Sequence, residues 1–268
     1  MTGRRAWRCN VQPNSLMESH VKSKQTILGL LAASALFASV GLAAAGSSIG
    51  TVQSWGHFKR LMHMGDASAK VQLADLPAGP GVYALGALAD LRGEVMVWDG
   101  RVLVSRGERD DGRAEPPRGG DAATLLALSR IGAWQRPVKV PRDMDQATFE
   151  RFVLEKADES GVDAARPFAF AVRGPALNMK WHVLTGKAGS GGRGVHKMGH
   201  AASRSFEAGR SDGLLLGFFS GDALEGVITH PGEKFHVHWA SPDLARSGHV
   251  DAYGVAAGAE LLLPPPVR

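Results

Sequence analysis

Three histidines near the end of the chain have the types and spacing of metal ligands. His236 and His238 are separated by one residue, and His249 follows after a segment that contains Pro242. Alternate side chains of a strand share one face, so His236 and His238 point the same way if they lie on a strand. A turn at Pro242 and a second, paired strand would bring His249 beside them. Three neutral imidazoles with one open position are typical of a catalytic metal site, and imidazole suits zinc first, then copper, iron and nickel.

A plainer interpretation of these histidines stays open. A His-x-His pair on a strand is often two polar residues on a solvated face. His230 is a further histidine nearby, but it precedes Pro231-Gly232 and is expected to belong to a turn. The single cysteine, Cys9, lies in the N-terminal leader, so the rest of the chain offers no thiolate ligand and no disulfide.

Strands are expected to position the histidines. Among 268 residues there are 34 glycines and 14 prolines, and 44% of the residues are hydrophobic against 21% charged. This is an ordinary globular composition rich in turns, and no strand–helix alternation is visible. The predicted fold class is therefore mainly β (α+β), with mostly antiparallel strands and a few short helices.

The individual elements follow from local patterns. A hairpin is predicted over 94–104, because Asp99-Gly100 accepts the positive φ angles of a two-residue turn. The clearest helix is predicted over 143–160, with Asp143 as its cap and Gly161 at its end. The other predictions are a short helix over 54–64, a loop over 106–121 and strands over 82–89, 167–183 and 213–220.

The basic charge of the chain belongs to its leader. The whole chain has a formal charge of +5, but residues 46–268 hold 26 bases and 25 acids. Because residues 46–268 are nearly neutral, the sequence does not predict the basic charge that binding to nucleic acid requires. Lys22 and Lys24 precede the apolar run 27–45, which ends in three alanines, as in a secretory signal peptide.

We therefore expect residues 1–45 to be removed and residues 46–268 to form the exported domain, periplasmic or extracellular, with no membrane association after cleavage. Met17 is the expected true start, and residues 1–16 an upstream extension. The alternative is an uncleaved transmembrane anchor, since the run nearly reaches the ~20 residues that a span needs.

The segment from His236 to His249 resembles the zinc-binding segment of the α-acetolactate decarboxylases. Other stretches resemble the same family and follow its order: Leu91-Arg92-Gly93-Glu94 with Asp99-Gly100, the stretch 167–174, and the stretch 213–218. This resemblance covers most of residues 55–255. It implies two packed, mostly antiparallel sheets and a zinc ion, Zn²⁺, held by His236, His238 and His249.

The resemblance also implies a reaction and the residues for it. The substrate would be a small 2-hydroxy-3-keto acid, 2-acetolactate, which loses carbon dioxide to give acetoin, with Glu94 as the catalytic acid/base. At the position of the family's substrate-orienting arginine stands His182, with Arg173 nearby, so these two are the candidate substrate-binding residues. The family also uses a glutamate in a C-terminal tail, and this chain, which stops at Arg268, is expected to lack that tail. The oligomeric state is left open, and a homodimer is one expectation.

Two other functions are compatible with the sequence. The first is an exported, non-catalytic protein on the same scaffold, which binds a metal or a small acid without turnover. The second is a cupin-like metal protein, because His-x-His on a strand recurs in that fold. The nearest acid after His238 is Asp243, which does not match the spacing of a cupin metal site.

Overall fold

Two antiparallel sheets make up most of the fold. The structure is a computed structural model that describes residues 50–109, 111–186 and 203–267. In this part of the chain, the first sheet has the order β1-β7-β3-β4-β5-β6, with β2 also paired to β7. Its strands are β1 (Val52–Trp55), β2 (Val71–Gln72), β3 (Val82–Leu88), β4 (Gly93–Trp98), β5 (Arg101–Arg106), β6 (Ala114–Glu115) and β7 (Ala122–Arg130).

The second sheet has the order β12-β11-β15-β14-β13-β10-β16-β8, with β9 paired to β15. Its strands are β8 (Val138–Lys139), β9 (Met144–Asp145), β10 (Phe168–Arg173), β11 (Ala176–Leu184), β12 (Ser203–Ser211), β13 (Leu214–Phe219), β14 (Phe235–Ala240), β15 (Ser247–Val255) and β16 (Glu260–Leu262). Two α-helices occur among the described residues, α1 (Phe58–Met64) and α2 (Gln146–Glu159). The mainly β prediction with two packed sheets is confirmed.

The hairpin predicted around Asp99-Gly100 is confirmed. β4 and β5 pair in register from Gly93–Arg106 to Trp98–Arg101. Asp99 and Gly100 have φ angles of 51° and 82°. Both values lie in the left-handed region that a tight hairpin turn of this kind requires. This hairpin fixes the position of β4, which carries Glu94.

The helix predicted over 143–160 is confirmed, but its predicted cap is wrong. The α2 helix begins at Gln146, and the Asp145 side chain accepts a hydrogen bond from the Thr148 N–H at 2.8 Å. Asp143 instead accepts a hydrogen bond from the Ala257 N–H, also at 2.8 Å. Residues 144–145 pair with β15, and this tertiary pairing delays the start of the helix.

Three other predicted elements are shorter or divided in the structure. Residues 52–55 pair with β7, so the predicted helix over 54–64 begins only at Phe58. The predicted loop over 106–121 contains the short strand β6. The strand predicted over 167–183 is bent at Gly174, whose φ of 133° is open mainly to glycine. Its two halves, β10 and β11, pair with different neighbours.

This bend shows that the second sheet is strongly curved. Three strands lie between β10 and β11, which in a flat sheet would separate them by at least about 19 Å. The chain from Arg173 to Ala176 can span at most about 11 Å. The sheet must therefore curl until its β10 and β11 regions approach each other.

The two faces of the second sheet contact different partners. Phe149 and Val153 of α2 pack in one apolar cluster with Trp181 of β11 and Trp239 of β14. The other face turns toward the first sheet, where Leu216 packs with Met96. His238 pairs directly with Leu216 and therefore shares this inter-sheet face.

The leader predicted over 1–45 lies outside the described residues. Among the residues that are described, no helix has both the length and the apolar character to cross a membrane.

Candidate metal centre

The β14–β15 hairpin brings the three predicted histidines together. His236 and His238 lie on one face of β14, and His249 on β15 is the direct cross-strand partner of His238. His236 Nε2 lies 3.1 Å from His249 Nδ1 and 3.2 Å from His238 Nε2. The ligand atoms of the three side chains all lie within 4.8 Å of one another, so the cluster could hold a metal ion.

The spacing and protonation of this cluster fit a zinc ion. Tetrahedral zinc with Zn–N bonds of 2.0–2.1 Å places its nitrogen ligands about 3.3 Å apart, close to the two measured separations. Burial lowers the pKa of His236 to about 3. It also lowers the pKa values of His238 and His249 well below the usual range of histidine. The rings are therefore neutral near pH 7, which is the form that binds a metal.

The ring orientation of His236 is fixed by the loop between β13 and β14. His236 Nδ1–H donates a hydrogen bond to the Ile228 carbonyl at 2.7 Å. This tautomer leaves the lone pair on Nε2, which is the atom that faces the other two histidines. Phe58, the first residue of α1, lies with its ring 6.5 Å from the His236 ring and 3.9 Å from that of His230. His230 belongs to the Pro231-Gly232 turn as predicted, since its carbonyl accepts the Glu233 N–H at 3.0 Å, and its ring lies near the cluster.

Glu94 reaches the cluster from the facing sheet. Its side chain is only 3% exposed, and its Oε2 lies 3.7 Å from His238 Nε2. Burial raises the pKa of Glu94 well above its usual range, although a hydrogen bond from the Leu184 backbone acts in the opposite direction. Glu94 Oε1 is buried and has no hydrogen-bond partner in the described part of the chain. The geometry thus places a carboxyl group that favours its protonated form directly beside three imidazoles.

His182 lies next to His249, on the side away from His238. On β11 it is the direct cross-strand partner of His249, and the two rings are 4.8 Å apart. His182 Nε2 lies 3.8 Å from Glu94 Oε1, and His182 Nδ1 lies 2.8 Å from Asp251 Oδ1. The position that the sequence aligned with the family's arginine therefore faces the carboxyl group and the histidine cluster.

Arg173 is not brought to this site. It lies on the exposed end of β10, where it pairs with Leu214 and Glu260. The pKa of Glu260 is lowered mainly by its hydrogen bond with Lys139, and the Arg173 charge adds a smaller effect. Burial raises the pKa of Tyr83, and the Arg173 charge opposes that rise. Of the six residues singled out as site residues, the structure brings five together: Glu94, His182, His236, His238 and His249.

A comparison with family models decides the relationship. The model of the alpha-acetolactate decarboxylase family matches residues 56–261. The chain belongs to this family.

Solved structures show the same fold. The chain is similar to the crystal structure of alpha-acetolactate decarboxylase from Bacillus subtilis strain 168, with a TM-score of 0.66 and 16% identity over 80% of this chain and 85% of that one. It is also similar to a protein of unknown function from Staphylococcus aureus described as similar to alpha-acetolactate decarboxylase, with a TM-score of 0.64, 15% identity and the same coverage. No curated protein sequence matches the chain significantly. Family and fold together support a decarboxylase-like function.

Several residues near the candidate metal centre were not predicted from the sequence. Ile228 acts through its backbone carbonyl, which leaves no signal in the sequence. Phe58 comes from a distant helix. Asp251 did have a signal, because it lies two residues after His249 on the same strand, the spacing that also links His236 to His238.

Proposed function

We propose that this chain decarboxylates 2-acetolactate to acetoin at a zinc ion held by His236, His238 and His249. One observation carries the proposal: three neutral imidazole nitrogens converge beside a buried carboxyl group that comes from the opposite sheet. The family and the fold agree with this chemistry, and 2-acetolactate is the substrate that the family name implies.

The cluster and the carboxyl group have separate roles in this proposal. Loss of carbon dioxide breaks a carbon–carbon bond and leaves its electron pair on the substrate, where the neighbouring ketone accepts it. A bound zinc ion supplies Lewis acidity, which stabilises the negative charge that develops on the substrate oxygens. The histidines hold the ion without carrying charge themselves, since burial keeps them neutral.

Glu94 is proposed as the acid that protonates the substrate carbon after carbon dioxide leaves. Burial favours the protonated form of Glu94, the charge of a bound zinc ion would act in the opposite direction, and the two together would tune the group for proton transfer. Among the described residues its Oε1 has no hydrogen-bond partner, so its proton can go to a substrate atom. Burial also excludes the water that would compete for the same step.

His182 is proposed to bind the substrate by accepting a hydrogen bond from its hydroxyl group. Asp251 accepts the Nδ1–H of this ring, so the Nε2 that faces Glu94 carries a lone pair. In this proposal His182 takes the position of the family's arginine but does not make the contact with the substrate carboxylate. Arg173 takes no part, because it lies at the exposed end of β10.

An acetoin assay combined with metal analysis tests the proposal. The purified full chain, loaded with zinc, should release acetoin from 2-acetolactate and hold one zinc ion. His238→Ala should lose the ion, because two remaining imidazoles rarely hold zinc. Glu94→Gln should keep the ion and lose roughly 10²–10⁴-fold in turnover.

Two exposed residues provide matched controls. His63→Ala removes a histidine of α1, and Glu155→Gln changes an exposed carboxylate of α2; both should retain zinc and turnover. Zinc content that survives in His238→Ala would refute the metal site. A chain that holds zinc but releases no acetoin would refute the reaction and favour the non-catalytic metal-binding protein.

We also propose that the protein is exported and that residues 1–45 are removed. The two lysines, the apolar run and the three alanines support this proposal. Intact-mass analysis of the secreted or periplasmic protein should place the N-terminus near Gly46. A retained apolar run would identify a membrane anchor instead.

A further inference from the structure

We propose that Asp251 is a positioning residue, whose carboxylate holds the His182 ring with Nε2 turned toward Glu94. The inference rests on the proposed function, because His182 matters only if the site binds a substrate. It concerns a residue that lies outside the zinc cluster and touches neither Glu94 nor the three ligands through a hydrogen bond.

A β-bulge in β15 puts Asp251 in place. His182 pairs with His249, and Trp181 pairs with Val250, but Lys180 then pairs with Ala252. Asp251 is therefore the extra residue of the bulge. Bulges of this kind redirect a side chain and are common next to active sites.

The bulge also removes a competing partner. In an uninterrupted ladder Asp251 would stand directly opposite Lys180, and the two would form a natural cross-strand ion pair. Instead Lys180 Nζ lies 2.9 Å from Glu207 Oε1 on β12. Asp251 is left to contact His182, with its Oδ1 2.8 Å from His182 Nδ1.

This contact fixes which nitrogen of His182 carries the proton. An ionised carboxylate only accepts hydrogen bonds, so Nδ1–H must be the donor. The ring is then held with its other nitrogen, Nε2, 3.8 Å from Glu94 Oε1. Without Asp251, the ring could rotate about its side-chain bonds and present either nitrogen to the site.

Kinetics of three variants test the inference. Asp251→Ala should lower kcat/KM for 2-acetolactate about tenfold, which corresponds to the loss of one hydrogen bond to a charged group, while zinc content stays at one ion per chain. Asp251→Asn should restore most of the activity, because the amide oxygen still accepts from Nδ1–H. In a His182→Ala background, Asp251→Ala should cause no further loss, since the two residues act as one unit.

A second measurement does not depend on turnover. Nitrogen–proton correlation spectra of ¹⁵N-histidine-labelled, zinc-loaded protein should show His182 protonated at Nδ1 in the unmutated chain and in Asp251→Asn. Asp251→Ala should lose this preference. Glu155→Ala, which removes an exposed carboxylate of α2, should leave both the spectrum and the kinetics unchanged.

Three results would overturn the inference. Unchanged kinetics and an unchanged His182 spectrum in Asp251→Ala would show that the contact positions nothing. Additive losses in the double variant would show that Asp251 acts independently of His182. Two zinc ions per chain, with one lost in Asp251→Ala, would make Asp251 a ligand of a second ion together with His182 and His249. Absence of acetoin from the unmutated chain refutes the proposed function instead, and the spectra still test the position of the ring.

Discussion

Replacing Glu94 by glutamine should make the stability of the metal-free protein depend differently on pH. Burial raises the pKa of Glu94 above that of the same group in the unfolded chain. At a pH below the pKa of Glu94 in the unfolded chain, Glu94 is neutral in both the folded and the unfolded state. Its ionisation then does not change the free energy of unfolding. As the pH rises, the unfolded chain releases its proton first, so folding becomes less favourable. Glutamine has no such proton to release.

The size of the effect follows from this linkage. Between the unfolded and the folded pKa, the unmutated chain should lose stability relative to Glu94→Gln by about 1.4 kcal/mol for each pH unit. The buried histidines act with the opposite sign, because their folded pKa values are lowered and their stability contribution is lost as pH falls. Both proteins contain the same histidines, so this contribution cancels in the difference.

Urea unfolding of the two metal-free proteins measures the difference in their free energies of unfolding. The measurement is made at several pH values between about 5 and 7. Only the pH dependence of the difference in the free energy of unfolding tests the prediction. Burial of the glutamine amide changes this free energy by an amount that does not depend on pH. Met96→Leu is a matched control, because Met96 is buried on the same strand and does not ionise. Its difference from the unmutated chain should be independent of pH. Parallel curves for Glu94→Gln would refute the raised pKa and with it the argument for Glu94 as an acid.

Three further predictions concern the fold and the cluster. Asp145→Ala removes the side-chain acceptor of the Thr148 N–H and should lower the free energy of unfolding by about 1 kcal/mol in urea titrations; an unchanged value would show that this cap contributes nothing. Gly217→Ala would place a Cβ against the Phe170 ring and should cost about 1–3 kcal/mol, measured in the same way, whereas a neutral result would mean that the ring shifts freely. Because the pKa of His236 is lowered to about 3, its ring in metal-free protein should give the NMR shifts of a neutral imidazole at pH 5, and shifts of a charged ring would contradict its burial.

The parts of the fold that were predictable depend on local geometry. The turn at Asp99-Gly100 needs two positive φ angles, and few residue pairs accept them. His236 and His238 share a face because strand side chains alternate, whatever the strand pairs with. The stripe of Phe149 and Phe152 on α2 likewise follows from helical periodicity.

The parts that were not predictable depend on contacts between distant segments. The N-cap of α2 is Asp145 and not Asp143, because residues 144–145 pair with β15. The bend at Gly174 depends on the curvature of a sheet in which β13, β14 and β15, which follow later in the chain, lie between β10 and β11. The bulge at Asp251 is defined by the register against β11, and no pattern within β15 encodes that register.

The β14–β15 hairpin has a consequence for the order in which the protein assembles. All three histidines of the cluster lie within residues 236–249, so a single hairpin brings them together. Closing so short a loop costs little chain entropy and is fast. His182 must instead arrive through the pairing of β11 with β15, and Glu94 through packing of the first sheet on the second. Both contacts join segments far apart in the sequence, and such contacts form slowly. We therefore expect that the proposed ion can bind to this hairpin before Glu94 and His182 arrive, and that its binding would stabilise the segment onto which the other strands fold.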